Sequence, residues 1–231
     1  MNNTVYFKDL KLIDYKKCWD YQEQLFNEIL AVKLLNKKEN KSIKTNNFLL
    51  FCEHPHVYTL GKSGDKKHLL VNNNFLKSNQ VSYYETNRGG DITYHGPGQI
   101  VVYPIFDLSN FFTDIGQYLR LLEEVVILTL KDYHLIGERS KGETGVWLGL
   151  GTKRARKICA IGVKTSRWVT MHGLAFNINT DLSYFNHIVP CGIVDKKVTS
   201  LKEETGKNIC FTEVKNKIKN YFSLLFDVSI V

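Results

Sequence analysis

"NRGGDITYHGPGQIVVYPI", Asn87 to Ile105, joins two unlike kinds of sequence, and the second decides the fold. Residues 100–105, IVVYPI, are almost continuously apolar. A strand with one wet face alternates apolar and polar residues, whereas a strand buried on both faces has no reason to. The run therefore predicts a fully buried strand. The first part holds four of the sixteen glycines within ten residues, among Arg88, Thr93, Tyr94 and His95. Glycines packed like this let backbone N–H groups line a cavity or close on a ligand. They also suit a hairpin without a ligand, although an arginine beside two glycines is costly to bury in a mere turn. The spacing matches neither G-x-G-x-x-G nor a P-loop, so nucleotide binding is not indicated.

Outward from this segment, further strand-like runs are NFLLFCE, VSYYET, TGVWLGL, KICAIGVKT and LAFNIN. Helical spacing runs from Asp14, a candidate N-cap, to about Lys37 through Tyr21, Leu25, Ile29, Val32 and Leu35. A second helix is predicted from Thr113 or Asp114 to about Tyr133, burying Ile115, Leu119, Leu122, Val126 and Leu130, and a third over about Thr212–Phe226. Strands and helices mix without regular βαβ alternation, which predicts an α+β fold on a mixed sheet. No Pro/Ser-rich linker, low-complexity tract or internal repeat divides the sequence, so residues 1–231 read as a single domain.

With 43% hydrophobic and 23% charged residues, the composition is that of a soluble globular protein. No apolar run is long enough to span a membrane, and the start lacks the basic and apolar regions of a secretion signal. Five cysteines, widely spaced and without C-x-x-C, argue against a disulfide framework or a structural zinc site and for a reducing cytoplasm. The net charge of +8 comes from lysines dispersed along the chain. Such charge solvates surfaces or attracts an acidic partner. No RNP-like pattern, helix-turn-helix or aromatic-interleaved basic stripe points to nucleic acid.

Three other segments can carry chemistry. In HIVPCGI, Cys191 stands between a proline that fixes φ and a glycine that lets the chain turn sharply. That corner suits a presented nucleophile or an ordinary turn. In KICAIGV, Lys157 opens an otherwise small and apolar strand, where it either snorkels to water or serves a site. A free thiol of pKa about 8.5 is only about 3% thiolate at pH 7. An ammonium about 4 Å away at an effective dielectric of about 20 favours the thiolate by roughly 4 kcal/mol, or up to about 3 pKa units. A lysine is therefore a sufficient activator. In CEHPHVYTLG, Cys52, His54 and His56 alternate onto one strand face, as metal ligands might be spaced. Pro55 interrupts that strand and no fourth ligand is near in sequence, so no metal is expected.

RGGDITYHGPGQIVVYPI, KICAIGVK, MHGLAFNINTDL and IVPCGI together resemble, in order, the octanoyltransferases of lipoate biosynthesis, the lipoyl(octanoyl) transferase family. HPHVYTLG resembles the upstream motif of that family, and the likeness runs from about residue 54 to 193. It implies a mixed central sheet flanked by helices with a small second sheet, related to biotin protein ligases and lipoate–protein ligases. It implies transfer of an octanoyl group from the phosphopantetheine thioester of acyl carrier protein to a lysine of a lipoyl domain, with no further cofactor. The acceptors would be the E2 subunits of 2-oxoacid dehydrogenases and the glycine cleavage H protein, and the enzyme a cytoplasmic monomer.

By the same resemblance Cys191 is the acyl-thioester nucleophile and Lys157 lowers its pKa. Lys164, seven residues on, falls outside the motif position. The substrate pocket would comprise Arg88, Gly89, Gly90, Asp91, Ile92, Thr93, Tyr94 and His95, with Ala160, Ile161, Gly162, Gly173, Leu174 and Ala175. The basic stretch GLGTKRAR before Lys157 reads as a solvated loop or as a contact for an acidic carrier protein. Three rivals differ in chemistry. An ATP-dependent lipoate–protein ligase has no need of Cys191. A papain-like hydrolase would use Cys191 with His172 and Asn177, but its C-G-[SA]-C-[WY] signature is absent. In a basic carrier-protein or nucleic-acid binder Cys191 would be incidental.

Overall fold

The computed structural model describes residues 2–189 and 197–231. Its main sheet runs, in spatial order, β12 (Ser229–Ile230), β1 (Thr4–Leu12), β2 (Asn47–Glu53), β6 (Gln99–Ile105), β10 (Val169–Asn177), β9 (Arg156–Ser166), β8 (Glu143–Leu148) and β7 (Glu138–Ser140). A short β11 (Lys197–Val198) adds parallel to the start of β9, pairing Val198 with Lys157. The β12–β1 and β1–β2 pairs are parallel and the rest of the path is antiparallel. A second sheet of three strands holds β3 (Val57–Leu60) between β4 (Ser82–Glu85) and β5 (Thr93–His95). The fold is α+β on a mixed sheet with a small second sheet, as expected.

The apolar run in β6 is explained by what covers it. Ile100 and Val102 face a core with Leu49, Phe51, Leu174 and Phe176 of the neighbouring strands, sealed by α3 (Ile115–Lys131) and α5 (Phe211–Phe226). Val101 and Tyr103 face the opposite core, with Leu50, Met171 and α1 (Tyr15–Glu39). Every residue of β6 is buried. Two shorter helices, α2 (Asn73–Ser78) and α4 (Leu201–Thr205), complete the described elements.

The caps follow sequence. Asp14 accepts from the Lys17 N–H at 3.0 Å and Asp114 from the Gln117 N–H at 2.9 Å, each satisfying a free donor of a first helical turn. The buried stripe of α1 differs from the predicted one: Tyr15, Cys18, Gln22, Leu25, Phe26 and Ile29 are buried, whereas Leu35 is exposed. The last turns of this helix run out past the buried core, so Val32 is half-buried and Leu35 exposed. Strand β1 carries no legible pattern because only Val5 on it is fully buried. Strand β10 begins at Val169, five residues before the LAFNIN run that marks it in the sequence.

Candidate functional site

The glycine-rich hairpin, β9 and β10 enclose a cavity of about 500 Å³. Strand β9 contributes Lys157 and Cys159 to Val163; β10 contributes His172 to Ala175 and Asn177. The loop into β5 brings Arg88 to Thr93, and β5 adds His95. Of the residues expected to form a pocket, Arg88, Gly89, Gly90, Asp91, Ile92, Thr93, His95, Ala160, Ile161, Gly162, Gly173, Leu174 and Ala175 line this one space. Tyr94 does not. Side chains alternate along β5, so Tyr94 points into the small sheet, stacked 4.9 Å from Tyr184 and hydrogen-bonded to His56 Nδ1 at 2.7 Å.

Small residues are required where backbones meet. A Cβ on Gly173 would lie 2.1 Å from the Val102 carbonyl oxygen on the paired strand β6, and one on Gly162 would lie 2.7 Å from that of Gly89. The Gly89 N–H donates to the Val163 carbonyl at 2.9 Å, which docks the hairpin onto β9. That N–H is therefore committed, and is no free donor for an oxyanion.

Arg88 is only 7% exposed and spends its guanidinium on structure. It donates to the Thr59 hydroxyl at 2.9 Å, the Thr59 carbonyl at 2.5 Å and the Gly89 carbonyl at 3.0 Å. Behind it runs a buried polar chain. Gln99 donates to the Tyr94 carbonyl and to Asn177 Oδ1, and Asn177 donates to the Thr199 carbonyl. The Gln99 amide thereby turns its oxygen toward His95 Nδ1 at 2.8 Å, so that nitrogen carries the proton. Burial, with His54 and the Arg88 guanidinium close by, pushes the His95 pKa down to about 3. His172, in the left-handed region at φ 59°, lies 2.7 Å through Nε2 from Asn87 Oδ1, and burial with Arg88 nearby brings it to about 3. Both imidazoles are neutral at pH 7, so neither supplies positive charge to the cavity.

At the β8 side the cavity is different. Lys157 Nζ sits 4.6 Å from the centroid of the Trp147 ring and 4.0 Å from Glu143 Oε2. Its side chain is 12% exposed. Both partners come from β8, whose Gly145 N–H donates at 3.1 Å to the fully buried Glu123. Arg120 at 2.6 Å and Arg139 at 3.1 Å neutralise that carboxylate. Lys164, on the same strand, instead lies 5.0 Å over the Phe26 ring of α1 and does not line the cavity.

Cys191 lies outside the described residues. Phe185 and Lys197 both line the cavity, and the Val189 N–H donates to the His68 carbonyl at 2.8 Å. One cysteine among the described residues, Cys159, also lines the cavity, but it is fully buried and burial pushes its thiol far up. A thiol held in its protonated form is a poor nucleophile. Sequence reasoning missed Tyr15, Glu143, Trp147 and Phe185, each of which reaches the cavity from another element, and also Gln99, which lies inside the glycine-rich motif but was not singled out within it.

Residues 14–223 match the family model of the lipoyl protein ligase A/B catalytic domain. The chain is 59% identical over 232 residues to an octanoyltransferase of Flavobacterium psychrophilum, covering 100% of both chains. It is 58% identical over 231 residues to one of Christiangramia forsetii, covering 100% of this chain and 99% of the relative. Among solved structures, an archaeal bipartite lipoate protein ligase of Thermoplasma acidophilum superposes at TM-score 0.72 and 14% identity, over 100% of this chain and 86% of that one. A biotin protein ligase of Aquifex aeolicus superposes at 0.51 and 15% identity, over 98% of this chain and 71% of that one. At these identities the structural likenesses establish the fold, whereas the full-length sequence matches reach the activity. The chain belongs to the lipoyl protein ligase A/B catalytic domain family and, within it, to the octanoyltransferases, acyltransferases of protein lipoylation.

Proposed function

We propose that this enzyme takes the octanoyl group from the phosphopantetheine thioester of acyl carrier protein onto Cys191 and delivers it to a lysine amine of a lipoyl domain. The observation that carries this reading is Lys157, held against Trp147 and Glu143 on the wall of a cavity whose remaining walls are largely small and apolar. The cavity volume falls within the roughly 300–1,000 Å³ of small-molecule sites. Each methylene buried between Ile161, Val163 and Leu174 contributes roughly 0.8 kcal/mol, which suits a fatty chain.

In the first half-reaction the Cys191 thiolate attacks the thioester carbonyl, the carbon–sulfur bond to pantetheine breaks, and Lys157 gives its proton to the departing thiol. In the second, the acceptor amine attacks the octanoyl-Cys191 thioester, neutral Lys157 removes the amine proton, and the cysteine thiolate leaves. One lysine thus acts as acid and then as base. The reading takes Arg88, Gly89, Gly90, Asp91, Ile92, Thr93, His95 and the small residues of β9 and β10 as the acyl site. It takes Tyr94 as a support beneath that site. It needs no cofactor beyond the carrier's phosphopantetheine. The lipoyl domains of 2-oxoacid dehydrogenase E2 subunits and the glycine cleavage H protein are the proposed acceptors, and a cytoplasmic monomer suffices. No helix among the described residues is long and apolar enough to cross a membrane.

The test is intact-protein mass spectrometry after mixing with octanoyl-acyl carrier protein in the absence of ATP. One octanoyl adduct, removed by hydroxylamine, absent in Cys191→Ala and retained in Cys159→Ala, is expected. Transfer that needs ATP and free octanoate, with no adduct, would instead assign the ligase reaction and leave Cys191 structural.

A further inference from the structure

Beneath the cavity, on the α1 side of the sheet, three side chains converge that the acyl-transfer reading does not use. Cys18 comes from the first turns of α1, Cys52 from the end of β2, and His54 from the segment just after it. All three are fully buried, and their ligand atoms lie within 4.8 Å of one another. The Cys52-His54-His56 spacing in the sequence does not survive folding. The chain turns at Pro55, and His56 goes to the small sheet, 4.3 Å from the Tyr184 ring. Cys18, 34 residues before Cys52 in the sequence, takes its place.

The histidine is set up as a ligand. His54 Nδ1 lies 2.7 Å from the Ile13 carbonyl, which can only accept, so Nδ1 carries the proton. Nε2 is then the unprotonated nitrogen, accepting from the Tyr103 hydroxyl at 2.9 Å with Cys52 Sγ 3.5 Å away. A backbone carbonyl fixing the tautomer of an imidazole is the usual support of a metal-bound histidine. Zinc–sulfur and zinc–nitrogen bonds of about 2.3 and 2.0 Å at a tetrahedral angle separate the two donors by about 3.5 Å. The Cys52–His54 spacing equals this already.

We infer that Cys18, Cys52 and His54 form a binding site for a thiophilic divalent cation of the zinc type, fastening the first turns of α1 to the end of β2. Binding converts two thiols into two thiolates, releases two protons and forms two metal–sulfur bonds and one metal–nitrogen bond. Two thiolates and one divalent ion sum to zero charge, which is what a buried site requires. Binding at Nε2 would replace the hydrogen bond accepted there from the Tyr103 hydroxyl, 2.9 Å away. Tyr15, one turn before Cys18, lines the acyl cavity, so the ion would also brace that wall.

Cobalt(II) added to the reduced, chelator-treated full chain is the probe. One equivalent should give a thiolate-to-cobalt charge-transfer band, bleached by zinc, and zinc titration in weak buffer should release two protons per ion. The Cys18→Ser/Cys52→Ser variant should lose the band, while His56→Ala should keep it. A wild-type chain that gives no band, or a band that survives in the double cysteine variant, overturns the site. Proton release needs only the folded wild-type protein, so a double variant that fails to fold leaves the proposal open to refutation: release of none would overturn it.

Discussion

Arg88 and Lys157 are both cationic, both nearly buried and both on the wall of one cavity, yet their surroundings differ in kind. Arg88 is fixed by three oxygens at 2.5–3.0 Å, all from Thr59 and Gly89, and so ties the hairpin to the small sheet. Lys157 lies 4.6 Å from an aromatic ring centroid and 4.0 Å from a carboxylate, both on β8. The choice of residue follows. A guanidinium stays protonated at any pH the protein meets, whereas an amine can give up a proton and take it back. One cation builds the wall; the other is the candidate to move protons.

Lys157→Ala should separate the two cations most sharply. Octanoyl transfer should fall about 10²–10⁴-fold, the usual worth of a positioned proton-transfer group, with the thermal midpoint little changed. A variant that unfolds, or that keeps its rate, would erase the distinction. Gly173→Ala tests the wall itself: a Cβ placed 2.1 Å from the Val102 oxygen must push β6 and β10 apart. Urea unfolding should show a loss of about 3 kcal/mol, the upper end of overpacking costs. Arg88→Lys keeps the charge but loses the fork, and should cost about 2 kcal/mol of stability. Its effect on transfer should follow from lost folding rather than from chemistry, which activity per folded molecule would reveal.

Acid gives a smaller effect per group. His95 and His172 titrate near 3 in the folded chain, against about 6.5 when unfolded. The unfolded chain therefore binds more protons below pH about 6.5. Stability contributed by the neutral rings is complete above that pH and is lost as pH falls toward 3. Between pH 7 and 5.5 the loss should be roughly 1 kcal/mol per imidazole. His54, buried beside His95, is also held neutral and adds to the loss in the same direction, and the Arg88 guanidinium opposes protonation of His95 and His172. A flat urea midpoint over that range would mean that neither ring is held neutral by the fold. Least of all should change in Lys164→Ala: its amine lies over Phe26 outside the cavity, so transfer should stay within about twofold.

Periodicity and caps made much of this architecture readable. The apolar run of β6 announced a strand covered on both faces, and Asp14 and Asp114 marked the starts of α1 and α3. The glycine-rich hairpin, the small residues of β9 and β10 and Lys157 were also identifiable, since close approach and an isolated buried amine leave marks in sequence. The sequence did not reveal that Tyr94 faces away from its neighbours Thr93 and His95, because three residues of strand are too few to show alternation against a glycine-rich background. Nor did it reveal β1 and β12, whose pairing joins Thr4 to Ser229 across the whole chain.

What the sequence determined by itself was local: which segments are helix or strand, where backbone must pass close to backbone, and which residues are candidates for acyl-transfer chemistry. Tertiary structure alone decided which of those residues meet. It set Trp147 and Glu143 against Lys157, turned Gln99 so that His95 is a neutral donor, and exchanged His56 for Cys18 beside Cys52. The reason is physical. Helix and strand patterns reflect neighbours within a few residues, whereas strand order and helix docking bring together residues whose separation along the chain leaves no pattern to read.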